Sequence, residues 1–193
     1  MFKIGVLAST SGTDLQAIID EINAGNMPGI ELSVVISNKK DAYALERAKS
    51  QGFEAVFVDP KGLKRETYDE KLAKILKDHD VDLVVLIGYM RILSNAFVKK
   101  FKGKIINVHP SLIPKFSGKS FYGSNVHKAV LEAGEKETGM TIHYVEEGVD
   151  TGEIIVQVPC KVDPSDTPET LQQKVQELEK EWYPKVIKKL AQK

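Results

Sequence analysis

The stretch VDLVVLIGYMRILSNAFVKKFKGKIINVHPS, residues 81–111, reads as strand, helix and strand. Residues 81–87, apolar but for Asp82, are the most apolar strand-like run, as expected of a central parallel strand buried on both faces. SNAFVKKF (94–101) reads as a short helix, with Ser94 as its cap. Residues 104–108 then reopen a strand, which ends at Asn107-Val108-His109-Pro110. Working outward, FKIGVLA (2–8), IELSVVIS (30–37) and FEAVFV (53–58) read as further strands. TDLQAIIDEINAG (13–25), DAYALERAKSQG (41–52) and LKRETYDEKLAKILKDHD (63–80) between them read as helices. This alternation predicts an α/β fold, an open, mostly parallel twisted sheet with helices on both faces.

The rhythm changes after residue 110. PSLIPKFSGKSFYG (110–123) is a loop rich in Pro, Gly and Ser, followed by a helix at 124–134. TGMTIHYVEE (138–147) and EIIVQVPCKV (153–162) are strands joined through the turn GVDTG (148–152), so an antiparallel addition is expected near the C-terminal part. A long helix spans about residues 166–192. No repeat or linker interrupts the pattern, and residues 1–193 are expected to form a single domain.

The 193 residues carry 27 basic and 27 acidic side chains. No basic surplus points to nucleic acid or to an acidic membrane surface. The single cysteine, Cys160, cannot form an internal disulfide, which fits a reducing compartment. It alternates with Val156, Val158 and Val162 and is expected to be a small buried hydrophobe. The longest apolar run is far shorter than the roughly 18 residues of a membrane span. Met1-Phe2-Lys3 leads straight into a strand pattern rather than a signal peptide, so a cytoplasmic location is expected.

Three segments carry candidate chemistry. Strand period two puts Asn107 and His109 on one face, and Pro110 stiffens the backbone of His109. An amide beside an imidazole suits a carbonyl oxygen that becomes negative. The alternative is a strand-end histidine satisfied by a backbone carbonyl. Asp150 lies between two glycines, either as ordinary turn chemistry or as a carboxylate that meets His109 and stabilises its imidazolium. ASTSGTDLQAII (8–19) leads into a helix N-terminus and lacks both the dinucleotide fingerprint and a Gly-Lys-Ser/Thr loop. It reads as a seat for one phosphate monoester, or as a helix start capped by Thr13 or Asp14. After the central strand, Met90, Ile92 and Leu93 either line an apolar slot or pack into the core. No His or Cys spacing suggests a metal.

The segments SGTDLQAIID, VISNKKDAYALERA, RETYD, GYMRILSNAFV, INVHPSLIPKF, GMTIHYVEEGVDTGEII and QELEKEWYP follow one another along nearly the whole chain. Together they resemble the folate-dependent formyltransferases, and among them the glycinamide ribonucleotide (phosphoribosylglycinamide) formyltransferases. The resemblance implies transfer of a formyl group from 10-formyltetrahydrofolate, as co-substrate, to the amine of N1-(5-phospho-D-ribosyl)glycinamide in de novo purine (IMP) biosynthesis. A 10-formyltetrahydrofolate hydrolase, or a formyltransferase acting on another amine, is the alternative. The resemblance implies a Rossmann-like formyltransferase fold, with substrate binding in the N-terminal half and folate binding and catalysis in the C-terminal half. Asn107, His109 and Asp150 are the implied catalytic residues. Gly12, Thr13, Asp14 and Glu179 are the implied substrate residues. Arg65, Met90, Arg91, Ile92, Leu93, Asn107, Glu146, Glu147, Gly148, Val149 and Asp150 are the implied folate residues, and His127 and His143 support the site. The implied partners are small molecules, with no nucleic acid, membrane or metal, and the chain is expected to be a monomer or weak homodimer. Two positions depart from the family pattern: Thr10 stands in place of glycine and Asp14 in place of asparagine. A carboxylate at position 14 opposes a phosphate, so its side chain is expected to turn away toward solvent or to find a cation.

Overall fold

The computed structural model describes residues 1–192; Lys193, the last residue of the expected domain, lies outside the described residues. The first half runs β1 (Phe2–Ala8), α1 (Thr13–Asn23), β2 (Ile30–Ser37), α2 (Tyr43–Ser50), β3 (Ala55–Phe57), α3 (Arg65–Asp78) and β4 (Leu83–Ile87). Next come α4 (Asn95–Lys100), β5 (Ile105–His109), α5 (Ser124–Glu132), β6 (Glu137–Tyr144), β7 (Ile154–Lys161) and α6 (Pro168–Ala191). The strands form one sheet in the order β3-β2-β1-β4-β5-β6-β7. The first five strands are parallel. β6 runs antiparallel to β5, and β7 antiparallel to β6.

The apolar run of β4 shows why both faces are covered. Leu83, Val85 and Ile87 pack on one side with Leu15, Ile18 and Ile19 of α1, Ala44 and Ala48 of α2, and Val175 and Ile187 of α6. Val84 and Leu86 pack on the other side with Tyr68, Leu72 and Leu76 of α3 and Phe97 of α4. Alternation thus sends adjacent residues into two separate cores. Each fully buried Leu or Ile contributes roughly 1.5–3 kcal/mol. Ser94 caps α4 as expected, its hydroxyl accepting from the Phe97 N–H at 3.3 Å. The strand expected over 53–58 shortens to Ala55–Phe57, because β3 is an edge strand that pairs only with β2.

The edge position of β7 also corrects the reading of Cys160. Its side chain faces the core side but is only partly buried, since no strand lies beyond β7. The alternation with Val156 and Val158 is right; the depth is not.

Sheet order reverses between β1, which is followed in sequence by its neighbour β2, and β4, which is followed by β5 on the other side. In such sheets a crevice opens beyond the carboxyl ends of the diverging strands. The loops after β1 and β4 meet there. Ser9 Oγ donates to Asn38 Oδ1 at 2.5 Å and accepts from the Met90 N–H at 2.8 Å. Gly88 has φ 53°, and a Cβ there would stand 2.3 Å from Thr10 Oγ1. Thr10 therefore fits only because position 88 has no side chain. At the far end of the β4 loop, Asp69 Oδ2 accepts from the Ser94 N–H at 2.6 Å.

Candidate active site

The crevice is a cavity of about 950 Å³. It brings together most of the residues nominated from sequence. Thr13, Asp14 and Glu179 line it at one end, Arg65 from the start of α3, and Met90, Arg91, Ile92 and Leu93 along the β4 loop. Asn107, His109, Glu146, Gly148, Val149 and Asp150 line it beyond β5 and β6. Two nominated residues do not line it. Glu147 faces α4, where its carboxylate meets Lys99 Nζ at 3.3 Å and Asn95 Nδ2 at 3.4 Å. Gly12 sits behind the first turn of α1 as its N-cap, φ 68° and ψ 46°. A Cβ at Gly12 would lie 2.8 Å from that of Ala44, so the close approach of α2 also demands glycine.

At the carboxyl end of β5, the sheet register sets Asn107 opposite His143 and His109 opposite Thr141. His143 Nδ1 lies 2.8 Å from the Tyr144 carbonyl and therefore carries the proton. Its Nε2 is then the acceptor for Asn107 Nδ2 at 3.2 Å. This fixes which way the Asn107 amide points, and leaves its second N–H free. Asp150 spans the two imidazoles, with Oδ2 3.6 Å from His109 Nδ1 and Oδ1 3.6 Å from His143 Nε2. The Gly118 N–H donates to the same carboxylate at 2.9 Å. His109 Nε2 donates to the Phe116 carbonyl at 2.7 Å. His109 thus has both a backbone carbonyl and the Asp150 carboxylate beside it.

Asp150 reaches this place through a tight loop. It has φ 57°, a conformation Asp tolerates better than most side chains. A Cβ at Gly152 would lie 1.8 Å from the Tyr144 carbonyl oxygen, so glycine lets the chain fold back against the end of β6. His127 of α5 also lines the cavity, and its Nδ1 is buried without a partner. Burial, and then the charge of His109, push His127 down to about 4. Burial lowers His143 as well, against the raising influence of the Tyr144 carbonyl and Asp150. Both flanking imidazoles are therefore neutral at pH 7.

At the opposite end no side chain caps α1. The cap expected from Thr13 or Asp14 does not form, so no side chain satisfies the first-turn N–H groups. Arg47 Nε donates to the Ser11 carbonyl at 2.8 Å and holds the loop from behind. The expectation that Asp14 turns to solvent is overturned. Asp14 is only 5 % exposed, packed between α1 and α6, and its Oδ1 has no hydrogen-bond partner. The physical reason is the packing of α6 on α1, which covers the side chain; burial then pushes Asp14 up to about 7, outweighing the lowering influence of Lys180. Glu179 is raised well above the usual carboxylate range by burial, and by Asp14 beside it.

Residues 2–187 match the family described as Formyl transferase. The chain belongs to that family. Among formyl transferases it is 43 % identical over 189 residues to the phosphoribosylglycinamide formyltransferase of Haemophilus influenzae, covering 97 % of this chain and 86 % of that protein. It is 44 % identical to the trifunctional purine biosynthetic protein adenosine-3 of Drosophila pseudoobscura pseudoobscura, covering 98 % of this chain but spanning only 14 % of that protein's length. The crystal structure of glycinamide ribonucleotide transformylase 1 from Symbiobacterium toebii superposes with a TM-score of 0.93 at 41 % identity, covering 100 % of this chain and 88 % of that one.

Several cavity residues were not nominated from sequence. Gln172 and Gln176 line it beside Glu179, and Lys39 lines it from the loop after β2. The spacing of Gln172, Gln176 and Glu179 is that of one helical face, and this was the available signal. Lys39 carried none. Among the described residues no group of three or more His, Cys, Asp or Glu is placed to hold a metal ion, and no helix is long and apolar enough to cross a membrane.

Proposed function

We propose that the protein transfers the formyl group of 10-formyltetrahydrofolate to the amine of glycinamide ribonucleotide, N1-(5-phospho-D-ribosyl)glycinamide, in de novo purine (IMP) biosynthesis. The observation that carries this reading is a single cavity with a free helix N-terminus at one end and Asn107, His109 and Asp150 at the other. A phosphate monoester suits the first end, since backbone N–H groups and the helix dipole favour an anion. Gly12, Thr13 and Asp14 supply that turn, and Glu179 faces it.

The folate fits the remaining wall. Met90 and Ile92 are 44 % and 51 % exposed, and both line the cavity, so they offer an apolar surface to a flat ring. Leu93 lies beneath them, buried in the core with Tyr68 and Phe97 though it still touches the cavity wall, and Glu146, Gly148 and Val149 close the opposite side. Arg65 and Arg91 supply cations for the carboxylates of the folate tail. The Arg91 guanidinium is held 4.6 Å over the Tyr68 ring.

In the reaction the neutral amine of the ribonucleotide attacks the formyl carbon. The free N–H of Asn107 and the imidazolium of His109 donate to the oxygen that becomes negative. His109 supplies the proton that N10 takes as it leaves, and the proton lost by the attacking nitrogen restores it. Asp150 holds His109 through Nδ1, so Nε2 is the nitrogen that faces substrate. The Phe116 carbonyl must give up its bond to Nε2 when substrate enters. His143 is a positioning residue, because it orients the Asn107 amide. No covalent enzyme intermediate and no metal is required.

The chain works as one domain, in the cytoplasm, on small molecules, without nucleic acid or membrane, as a monomer or weak homodimer. Incubation with 10-formyltetrahydrofolate, with and without glycinamide ribonucleotide, tests the reading. Formylated ribonucleotide should accumulate only when both are present. Equal loss of the formyl group without the amine would instead identify a hydrolase.

A further inference from the structure

Asp14 on α1 and Glu179 on α6 meet at the phosphate end of the cavity, 5 % and 7 % exposed. Water does not screen them, and Asp14 Oδ1 has no protein partner. The ammonium that bears on both of them, on Lys180, is already held 2.7 Å from Glu177. A phosphate monoester arrives with a charge of about −1.5 to −2. Two ionised carboxylates would repel it and each other. One proton removes a charge and also changes the chemistry, because a protonated carboxyl donates a hydrogen bond where a carboxylate only accepts.

We propose that Asp14 and Glu179 share a proton that takes part in recognising the phosphate and ribose end of the substrate, so that binding draws a proton onto the pair. This rests on the glycinamide ribonucleotide reading above. The other charged or titratable groups around the pair are Lys180 and Tyr183 on α6 and Lys39 in the loop after β2. Tyr183 is raised well above its usual range by burial, and then by Asp14 and Glu179, so it stays a phenol. Lys39 is exposed and opens to solvent. The pair is therefore the group that changes charge just above neutrality, in keeping with Asp14 being pushed up to about 7. The substrate phosphate is already fully ionised there, its second pKa being about 6.

Calorimetric titration with glycinamide ribonucleotide, in buffers of different ionisation enthalpy at about pH 8, reads the proton directly. Wild type should take up close to one proton more than Asp14→Asn. The difference between the two proteins cancels the titration of the substrate's own amine. Between about pH 7.5 and 8.5 the wild-type Kd should rise up to about tenfold more than that of Asp14→Asn, the slope of one linked proton. Glu179→Gln should move the linked proton to lower pH, since the like-charged neighbour is gone. Binding with equal proton uptake in wild type and Asp14→Asn would overturn this inference alone. Absence of binding at every pH in wild type would overturn the substrate reading and this inference with it.

Discussion

The buried imidazole of His127 should favour unfolding as pH falls, and His127→Gln should remove that contribution. The imidazole is buried beside His109, with Nδ1 unpartnered, and is pushed from 6.5 down to about 4 by burial and by the charge of His109. The unfolded chain binds this proton near 6.5, and the folded chain only near 4. The unfolded state thus gains protons first as pH falls, and stability present above about 6.5 is lost toward about pH 4. At about 1.36 kcal/mol per pKa unit, lowering pH from about 7 to about 5 costs about 2 kcal/mol through this one residue. Asp14 acts in the opposite sense. Its folded value, about 7, lies above its ordinary 3.8, so its ionisation opposes folding at high pH and that cost fades as pH falls. Over the same interval the Asp14 effect is also about 2 kcal/mol, and the raised Glu179 acts in the same sense, so the pH dependence of wild type alone does not isolate His127. The contribution of His127 emerges only by comparison. Urea unfolding of wild type and His127→Gln at pH 7 and pH 5 measures it. The variant should gain about 2 kcal/mol on wild type between the two pH values. An equal gap at both would refute the reasoning.

Three other outcomes are expected. His109→Ala should lower kcat by about 10² to 10⁴, with the circular dichroism and unfolding transition of wild type, because the group supplies acid and oxyanion donation from a strand end. His143→Leu should lower kcat more than KM, because Asn107 loses the acceptor that orients its amide; parallel losses in both would mean that His143 acts only in packing. Gly88→Ala should destabilise the fold, because the new Cβ meets Thr10 Oγ1 at 2.3 Å. Thr10→Gly should restore part of that loss in thermal melts, leaving about 1 kcal/mol or more for a side chain at φ 53°.

The central strands could be read directly because an unbroken apolar run of strand length is stable only where layers cover both of its faces. β4 is that case, and β6 with β7 followed from two alternating stretches around a glycine turn. Cys160 shows the limit of such patterns. Alternation tells which face a residue takes, and not whether another strand lies beyond its own. Glu146 and Glu147 show a second limit. They lie beyond the end of β6, where strand alternation no longer applies, and Lys99 and Asn95 of α4 hold the Glu147 carboxylate outside the cavity. Asn107 and His109 were legible because they lie two residues apart in one strand. His143 carried less weight because its contact with Asn107 depends on β5–β6 register. The protonation of Asp14 was invisible for a similar reason. It depends on burial, which comes only when the last helix packs on the first.

That packing has a consequence for how the protein is made. The substrate end of the cavity is built from the first turn of α1 and from Gln172, Gln176 and Glu179 of α6. A ribosome releases α1 well before α6. Until α6 emerges and docks, the apolar stripe of α1 lacks part of its cover, and Asp14 lies open to water as an ordinary carboxylate. The growing chain can hold β1 to β5 in a sheet and still have no substrate pocket. Assembly of the pocket, and the charge state of Asp14 with it, thus waits for α6 rather than for the sheet.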